Sequence, residues 1–170
     1  MFTASMLVVV VASNVLVQYP INNWLTWGAF TFPFAFLVTD LCNRSFGPVF
    51  AKRIVYLGFF AAVIISLFLT EIRIAFASGA AFFLGQFVDI IIFNRLRKFR
   101  WWFAPLCSSV ISSLLDSILF FTLAFIFTGL PWFTWALGDY FIKIIMAIFL
   151  LAPYRYFISQ ITPMNLKTIE

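Results

Sequence analysis

The sequence predicts an all-α polytopic membrane protein, a bundle of six transmembrane helices with both termini in the cytoplasm. Of its 170 residues, 64% are hydrophobic and only 10% are charged, and the mean hydropathy is +1.07. A soluble domain needs roughly a quarter of its residues charged, whereas a surface that faces lipid must be apolar. The apolar residues form segments long enough to cross a bilayer, and the basic residues cluster between alternate segments.

The apolar segments follow one another with short polar connections. The N-terminal segment lacks a basic region and a second apolar segment follows it closely, so we interpret it as the first span and not as a signal peptide. Pro33 lies inside the second segment and is expected to kink it. The chain is predicted to form one transmembrane domain over residues 1–170, with helices at about 4–17, 27–42, 54–70, 74–93, 102–127 and 132–151.

The basic residues predict the orientation of the bundle. The five connections and the C-terminal tail carry none, three, one, four, none and two Lys or Arg residues in turn. Because basic loops stay in the cytoplasm, loops 43–53 and 94–101 and both termini are predicted to lie there. Arg73 is then outside, and Lys143 is left within a helix. The basic run at 95–102 follows the same rule, so we predict no binding of nucleic acid.

Five charged residues lie inside or at the edges of the predicted helices: Asp40, Asp89, Asp116, Asp139 and Lys143. At the centre of a helix in lipid each costs about 2.5–3.5 kcal/mol, so such residues face a bundle interior or an aqueous cavity. Two pairs, Asp40 with Arg44 and Asp139 with Lys143, have the i,i+4 spacing of a helical ion pair. The other two, Asp89 and Asp116, have no basic residue nearby in the sequence.

Uncharged polar residues accompany these charges at helical spacing. Gln86 precedes Asp89 by three positions, and Ser109 and Ser112 share a helix face with Asp116. Together the polar faces predict one cavity between the helices. A packing seam of small residues and self-neutralising charge pairs near helix ends are the structural alternatives.

The composition excludes several classes of enzyme. The chain contains no histidine, which removes Ser–His hydrolysis, HExxH metal sites and bis-histidine haem ligation, and it has no glycine-rich phosphate motif. Its two cysteines, Cys42 and Cys107, are far apart and support neither a metal site nor a disulfide framework. We therefore predict no enzyme activity, no catalytic residue, no metal site and no cofactor. A polar-lined bundle of this kind favours transport or binding.

Several stretches resemble the VUT family of vitamin-uptake transporters, and the resemblance extends from about Ser13 to Tyr154. They are TWGAFTFPFAFLVTDL at 26–41 followed by Arg44 and AKRI at 51–54, GQFVD at 85–89 followed by FNRLR at 93–97 and WWFAP at 101–105, and Asp116 with DYFIK at 139–143. The resemblance implies import of queuosine precursors across the bacterial inner membrane for tRNA modification. These precursors are 7-deazaguanine bases such as preQ0, preQ1 or queuine.

The expected partners are this purine-like base and the lipid bilayer. A guanine-like edge offers adjacent N–H donors to a carboxylate and a carbonyl to an amide. We therefore expect Gln86 and Asp89, with Asp116 or Asp40, to hold the base while aromatic rings stack on it. The full set of predicted substrate-binding residues is Gln86, Asp89, Asp116, Asp40, Trp27, Phe34, Ser109 and Ser112, and Arg44, Asp139 and Lys143 are predicted to form structural or coupling charge pairs.

Two other functions remain open from the sequence. A substrate-binding S component of an energy-coupling-factor importer also has about six helices and would need a separate ATPase module as partner. The first helix has no seam of small residues between Ser5 and Val17 for docking, which favours a stand-alone carrier. The second alternative is a non-transporting membrane assembly protein, whose buried charges would only specify how the helices pair.

Overall fold

The predicted all-α fold is confirmed. The computed structural model describes residues 2–160, without the side chains of residues 61 and 62, so Lys167 of the predicted tail lies outside the described residues. Within that range the helices are α1 (Phe2–Leu16), α2 (Gly28–Thr31), α3 (Pro33–Phe46), α4 (Pro48–Leu69), α5 (Ile72–Leu96), α6 (Phe103–Phe125) and α7 (Trp132–Gln160).

Four of these helices, α4 to α7, are long and apolar enough to cross a membrane. Helix α1 is apolar but shorter, and the second predicted span is divided between α2 and α3. A single span takes about 20 residues in a helix. By length and composition the chain is therefore a helical membrane protein with four candidate spans among the described residues, and the count of six stays a prediction.

Pro33 breaks the second predicted helix completely. Helix α2 ends at Thr31 and α3 begins at Pro33, because proline has no backbone N–H to donate but fits the first turn of a new helix. Phe32 between them keeps helical backbone angles, with φ −59° and ψ −37°. The prediction of one helix over 27–42 was wrong in this respect, and α3 also continues to Phe46.

Two further helix ends differ from the prediction. Gly47, with φ of 83°, joins α3 directly to α4, because glycine adopts this conformation readily and Pro48 starts a helix well. Lys52 and Arg53, predicted in a loop, therefore lie on α4. Helix α7 continues past residue 151 to Gln160 although Pro153 lies inside it. Here a buried tyrosine, Tyr154, packs against Leu41, Phe93 and Ala104 and stabilises the turn that proline weakens.

The two basic connections meet at one end of the bundle. Arg44 Nη1 donates to the carbonyl of Arg97 at 3.0 Å, and Arg97 Nη2 lies 3.5 Å from the carbonyl of Asn43 and 3.4 Å from that of Arg44. Carbonyls at helix C-termini carry partial negative charge, which favours guanidinium groups. Burial, reinforced by the charge of Arg44, lowers the pKa of Arg97. We refer to this end of the bundle as the basic end.

The other connections meet at the opposite end. Arg73 at the start of α5 donates to the carbonyls of Leu123 and Ile126 at the end of α6. Trp135 Nε1 at the start of α7 donates to the carbonyl of Asn22 at 3.1 Å. The connections thus alternate between the two ends, in the order that the distribution of basic residues predicted.

The connection of residues 18–27 packs closely on α7 at Gly138. A Cβ atom at this position would overlap the backbone carbonyl of Trp24, which cannot rotate away. The absence of a side chain at Gly138 is therefore what lets this connection cover the end of α7.

We expect Gly138→Ala to destabilise the fold by about 1–3 kcal/mol, the usual cost of overpacking, and to lower the thermal midpoint of the detergent-purified protein. The matched control is Gly79→Ala, which adds the same methyl group 3.0 Å from Val63 Cγ2 and 3.2 Å from Phe59 Cε2, two side-chain atoms that can shift by a few tenths of an ångström. A smaller decrease is expected there. Equal midpoints for the two variants would contradict the tight packing at Gly138.

Candidate functional site

The ionisable residues of the predicted helices all face the interior of the bundle. The exposed fractions are 2% for Asp40, 0% for Asp89, 2% for Asp116, 4% for Asp139 and 3% for Lys143. The prediction that they turn away from lipid is confirmed. Their partners, however, differ from those that sequence spacing indicated.

Lys143 on α7 bridges two carboxylates. Its Nζ lies 2.6 Å from Asp116 Oδ2 on α6 and 2.6 Å from Asp139 Oδ2, one turn earlier on α7. The hydroxyl of Ser117 donates to Asp139 Oδ2 at 2.6 Å. Lys143 Nζ also lies 4.7 Å from the centre of the Phe32 ring, within the range of a cation–π contact. We call Asp116, Lys143 and Asp139 the charge triad.

The charge triad confirms one predicted pair and supplies a partner for Asp116. Asp139 and Lys143 pair as their i,i+4 spacing indicated. Asp116 has no basic residue nearby in the sequence, and its partner is Lys143, 27 residues away on the neighbouring helix. Helical spacing identifies only partners on the same helix, so it did not predict this contact.

The predicted ion pair between Asp40 and Arg44 does not form among the described residues. Arg44 turns to the carbonyl of Arg97 at the basic end, where a guanidinium is more easily solvated than inside the bundle. The carboxyl group of Asp40 instead lies within hydrogen-bonding reach of Asp89. Two adjacent carboxylates repel each other unless a proton or another donor lies between them.

Gln86 and Asp89 on α5 form a polar layer behind Asp40. Thr39 Oγ1 lies 2.5 Å from Gln86 Oε1, and Ser112 Oγ lies 3.3 Å from Asp89 Oδ1. Three of the buried polar atoms that lack a hydrogen-bond partner within residues 2–160 lie in this layer, namely Asp40 Oδ1, Gln86 Nε2 and Asp89 Oδ2, unless a proton is shared between the two adjacent carboxyl groups. Buried polar atoms without partners are costly and uncommon in native proteins. Their clustering here indicates a site for a polar ligand.

Among the cavities between the described helices, two adjacent ones share the lining residue Lys143. The inner cavity, nearer the basic end, has a volume of about 330 Å³, and its lining includes Phe36, Asp40, Ser109 and Tyr154. The outer cavity has a volume of about 320 Å³, and its lining includes Asn14, Phe32, Ser78, Asp116 and Asp139. The predicted polar interior is thus present as two adjacent spaces.

The structure distributes the predicted substrate-binding residues over three environments. Asp40 and Ser109 line the inner cavity, and Asp116 lines the outer one. Gln86, Asp89 and Ser112 are buried behind the inner cavity, where Ser112 contacts Asp89. Trp27 and Phe34 line neither cavity and are 54% and 40% exposed.

The stacking role predicted for Trp27 and Phe34 is therefore not supported. On α3 the residues that line the inner cavity are Pro33, Phe36, Leu37 and Asp40. They follow the i, i+3, i+4, i+7 pattern of one helix face, and Phe34 lies outside it. Phe36 is the aromatic residue of α3 that reaches the inner cavity.

Sequence analysis missed Tyr154. Its side chain is 1% exposed and lines the inner cavity, and its hydroxyl has no hydrogen-bond partner within the described residues. The residue lies beyond the predicted end of the last helix at 151, so it was assigned to the tail. The apolar sequence on both sides of Pro153 was the signal that the helix continues.

All lining residues of the inner cavity, and all those of the outer cavity except Ser13, Asn14 and Val17, fall within a family match. The sequence model of a family described as "Putative vitamin uptake transporter" matches residues 26–72 and 66–158. The chain belongs to this vitamin uptake transporter family. Asp40, Asp89, Tyr154 and the charge triad all lie within the matched residues, so the resemblance stated from sequence motifs is confirmed.

Curated relatives share much of the chain. The "Queuosine precursor transporter" of Escherichia coli (strain K12) is 37% identical over an alignment of 176 positions, gaps included, that covers 86% of this chain and 80% of the relative. The "Probable queuosine precursor transporter" of Haemophilus influenzae is 36% identical over an alignment of 186 positions, with coverage of 85% and 79%. The protein of the same description from Bacillus subtilis is 23% identical over 158 residues, with coverage of 75% and 69%. No solved structure matches the chain at a significant level.

Lys143→Met is expected to destabilise this transporter-family protein by about 3–5 kcal/mol, because it leaves two buried carboxylates without their cation. Adding Asp116→Asn and Asp139→Asn to it should restore most of the loss. Both effects are measurable as thermal midpoints of the purified protein. Lys52→Met, at an exposed position on α4, is the matched control and should change little. A Lys143→Met protein as stable as this control would contradict the charge triad.

Proposed function

We propose that this protein is a multi-pass carrier of the bacterial inner membrane that imports queuosine precursors for tRNA modification. Its substrates would be 7-deazaguanine bases such as preQ0, preQ1 or queuine. Relatives that are 36–37% identical over most of the chain carry the name of a queuosine precursor transporter, and the matching family is one of uptake transporters. Six spans with both termini in the cytoplasm belong to the proposal, and the shared basic end supports that orientation.

The observation that carries the proposal is a buried carboxylate that lines a cavity and has an oxygen without a partner. Asp40 is 2% exposed, it lines the inner cavity, and its Oδ1 lacks a partner among the described residues. A carboxylate is a strong acceptor for two adjacent N–H groups, which is what the N1 and 2-amino positions of a 7-deazaguanine offer.

Two other residues of the inner cavity complement the base. The hydroxyl of Tyr154 is a free donor, and we assign it to the carbonyl oxygen of the base. The ring of Phe36 offers an apolar face for stacking on the heterocycle. Together the three side chains supply an acceptor, a donor and a flat surface, which match the N–H edge, the carbonyl oxygen and the ring of a guanine-type base.

Gln86 and Asp89 would act from behind Asp40. Asp89 lies against the Asp40 carboxyl group, and Gln86 Nε2 is a buried donor without a partner among the described residues. In this proposal they set the position of Asp40, and they reach the base only when α3 and α5 separate. Changing them would therefore weaken binding through Asp40.

Asp40→Asn is expected to weaken binding of a 7-deazaguanine base by about 1.5–3 kcal/mol, the value of a hydrogen bond to a charged group, and Tyr154→Phe by about 0.5–1.5 kcal/mol. Binding to the purified protein and uptake by cells that lack their own carrier measure the two effects. Glu71→Gln and Tyr156→Phe make the same changes at exposed positions and should leave both unchanged.

The ligand provides a second control. 7-Deazahypoxanthine lacks only the 2-amino group, so it should bind wild type more weakly than 7-deazaguanine and should lose less affinity on Asp40→Asn. Equal loss for both bases would remove Asp40 from the recognition of this edge. If the purified protein bound neither base, the proposal would fail and a membrane assembly role would become the better explanation of its buried charges.

A stand-alone carrier and a subunit of an energy-coupling-factor importer differ in their need for an ATPase. We expect the chain to import the base when it is expressed in cells without any coupling-factor ATPase, because the inner cavity, the charge triad and the outer cavity are all formed by this one chain. Transport of radiolabelled base by such cells measures this. Uptake that appears only when an ATPase module is coexpressed would identify the chain as the S component.

A further inference from the structure

The two cavities are stacked along the helices. On α6, Ser109 and Ser113 line the inner cavity, and Asp116 and Phe120 line the outer one. Because a helix rises about 1.5 Å per residue, Ser109 and Phe120 lie about 16 Å apart along the axis. The inner cavity is thus on the side of the basic end, and the outer cavity is on the side of the opposite end.

Two further segments show the same order. On α7, Asp139 lines the outer cavity and Ala147 and Tyr154 line the inner one. Across the junction of α2 and α3, Phe32 lines the outer cavity and Pro33 the inner one. The boundary between the cavities therefore falls at one level on each of these segments. Among the lining residues only Lys143 belongs to both cavities.

Lys143 is held at this boundary by strong contacts. Its ammonium group lies 2.6 Å from a carboxylate oxygen of Asp116 and 2.6 Å from one of Asp139. Such contacts between buried charges are far stronger than at a surface, because the surroundings are poorly polarisable. A molecule that moves from one cavity to the other must displace this side chain.

The surroundings of the charge triad offer a means of displacement. Asp116 Oδ1 is buried without a partner within residues 2–160, and Asp116 lines the outer cavity. A ligand with N–H donors can bind there and compete with Lys143 for the carboxylate. The Lys143 ammonium also contacts the ring of Phe32, directly before the helix break at Pro33. Movement at this break would therefore release one of its contacts.

We propose that the outer cavity is a second binding position for the same purine-like base, and that the charge triad closes the passage between it and the inner cavity. This rests on the proposed function for the identity of the base. The base occupies the outer cavity first, its N–H groups engage Asp116, and Lys143 swings aside to let it reach Asp40. Lys143 is thus a positioning residue that separates two stations of one pathway.

Cysteine accessibility tests the closed passage without any substrate. In a chain carrying Cys42→Ala and Cys107→Ser, and first checked for uptake, Val17→Cys reports on the outer cavity and Ala147→Cys on the inner one. A charged, membrane-impermeant methanethiosulfonate reagent is added from one side of oriented vesicles at a time. We expect each cysteine to react from one side only, and the two from opposite sides.

Removing the triad should open the passage. With Lys143→Ala, Asp116→Asn and Asp139→Asn, the Ala147→Cys reporter should react from the outer side at the rate of Val17→Cys. The matched control has Lys143→Met in the same neutral background, which keeps a side chain of similar length in place, and it should keep the reporter closed to that side. Comparing the Lys143→Ala and Lys143→Met variants distinguishes the effect of a smaller side chain in the passage from the effect of the lost charge.

Two results would overturn the proposal. One is reaction of Ala147→Cys from the outer side at the rate of Val17→Cys while the charge triad is intact, which requires no triad variant to fold. The other is an unchanged Ala147→Cys rate in the Lys143→Ala background when the Val17→Cys rate shows that the protein is intact. Because the labelling reagent is used in place of the base, these results do not depend on which substrate the protein transports. Loss of deazaguanine binding with the labelling pattern preserved would overturn only the proposed function.

Discussion

The structure depends on one buried ammonium group that bridges two buried carboxylates and offsets one of their two negative charges. In the interior of a lipid-embedded bundle, neither charge is stable alone, so Asp116, Asp139 and Lys143 hold α6 and α7 at a fixed register. The hydroxyl of Ser117 on α6 supplies the additional donor that the second carboxylate needs. Lys143 also lines both the inner and the outer cavity, so the packing of α6 against α7 and the proposed transport pathway depend on the same charges.

The second acidic cluster has no such cation. Asp40 and Asp89 lie side by side, and Arg44, the cation closest to Asp40 in sequence, turns instead to the carbonyl of Arg97 at the basic end. One acidic cluster thus has a cation of its own and the other has none among the described residues, although both retain a carboxylate oxygen without a hydrogen-bond partner there. That contrast is the physical basis for assigning substrate recognition to Asp40 and closure of the passage to Lys143.

Much of the fold follows from local sequence. The length and hydropathy of each segment determined where the long helices lie, and the alternation of basic residues indicated which connections share an end. The errors fall at proline and glycine, which act through backbone geometry. Pro33 divides a segment that hydropathy predicted to be one helix. Helix α7 continues through Pro153, because the packing of Tyr154 outweighs the loss of the hydrogen bond that proline removes.

The sequence by itself determined the membrane class, the family and the set of inward-facing charges. The last of these follows because a charged side chain within a membrane helix turns away from the lipid whatever its partner is. Only the tertiary structure decided which charges pair and which residues line a cavity. The contact between Asp116 and Lys143 joins residues on two helices. Phe36 lines the inner cavity and Phe34 does not, because the rotation of α3 about its axis sets which face turns inward. Spacing along one helix contains no information about the rotation of its neighbours, so these features arise only when the helices pack.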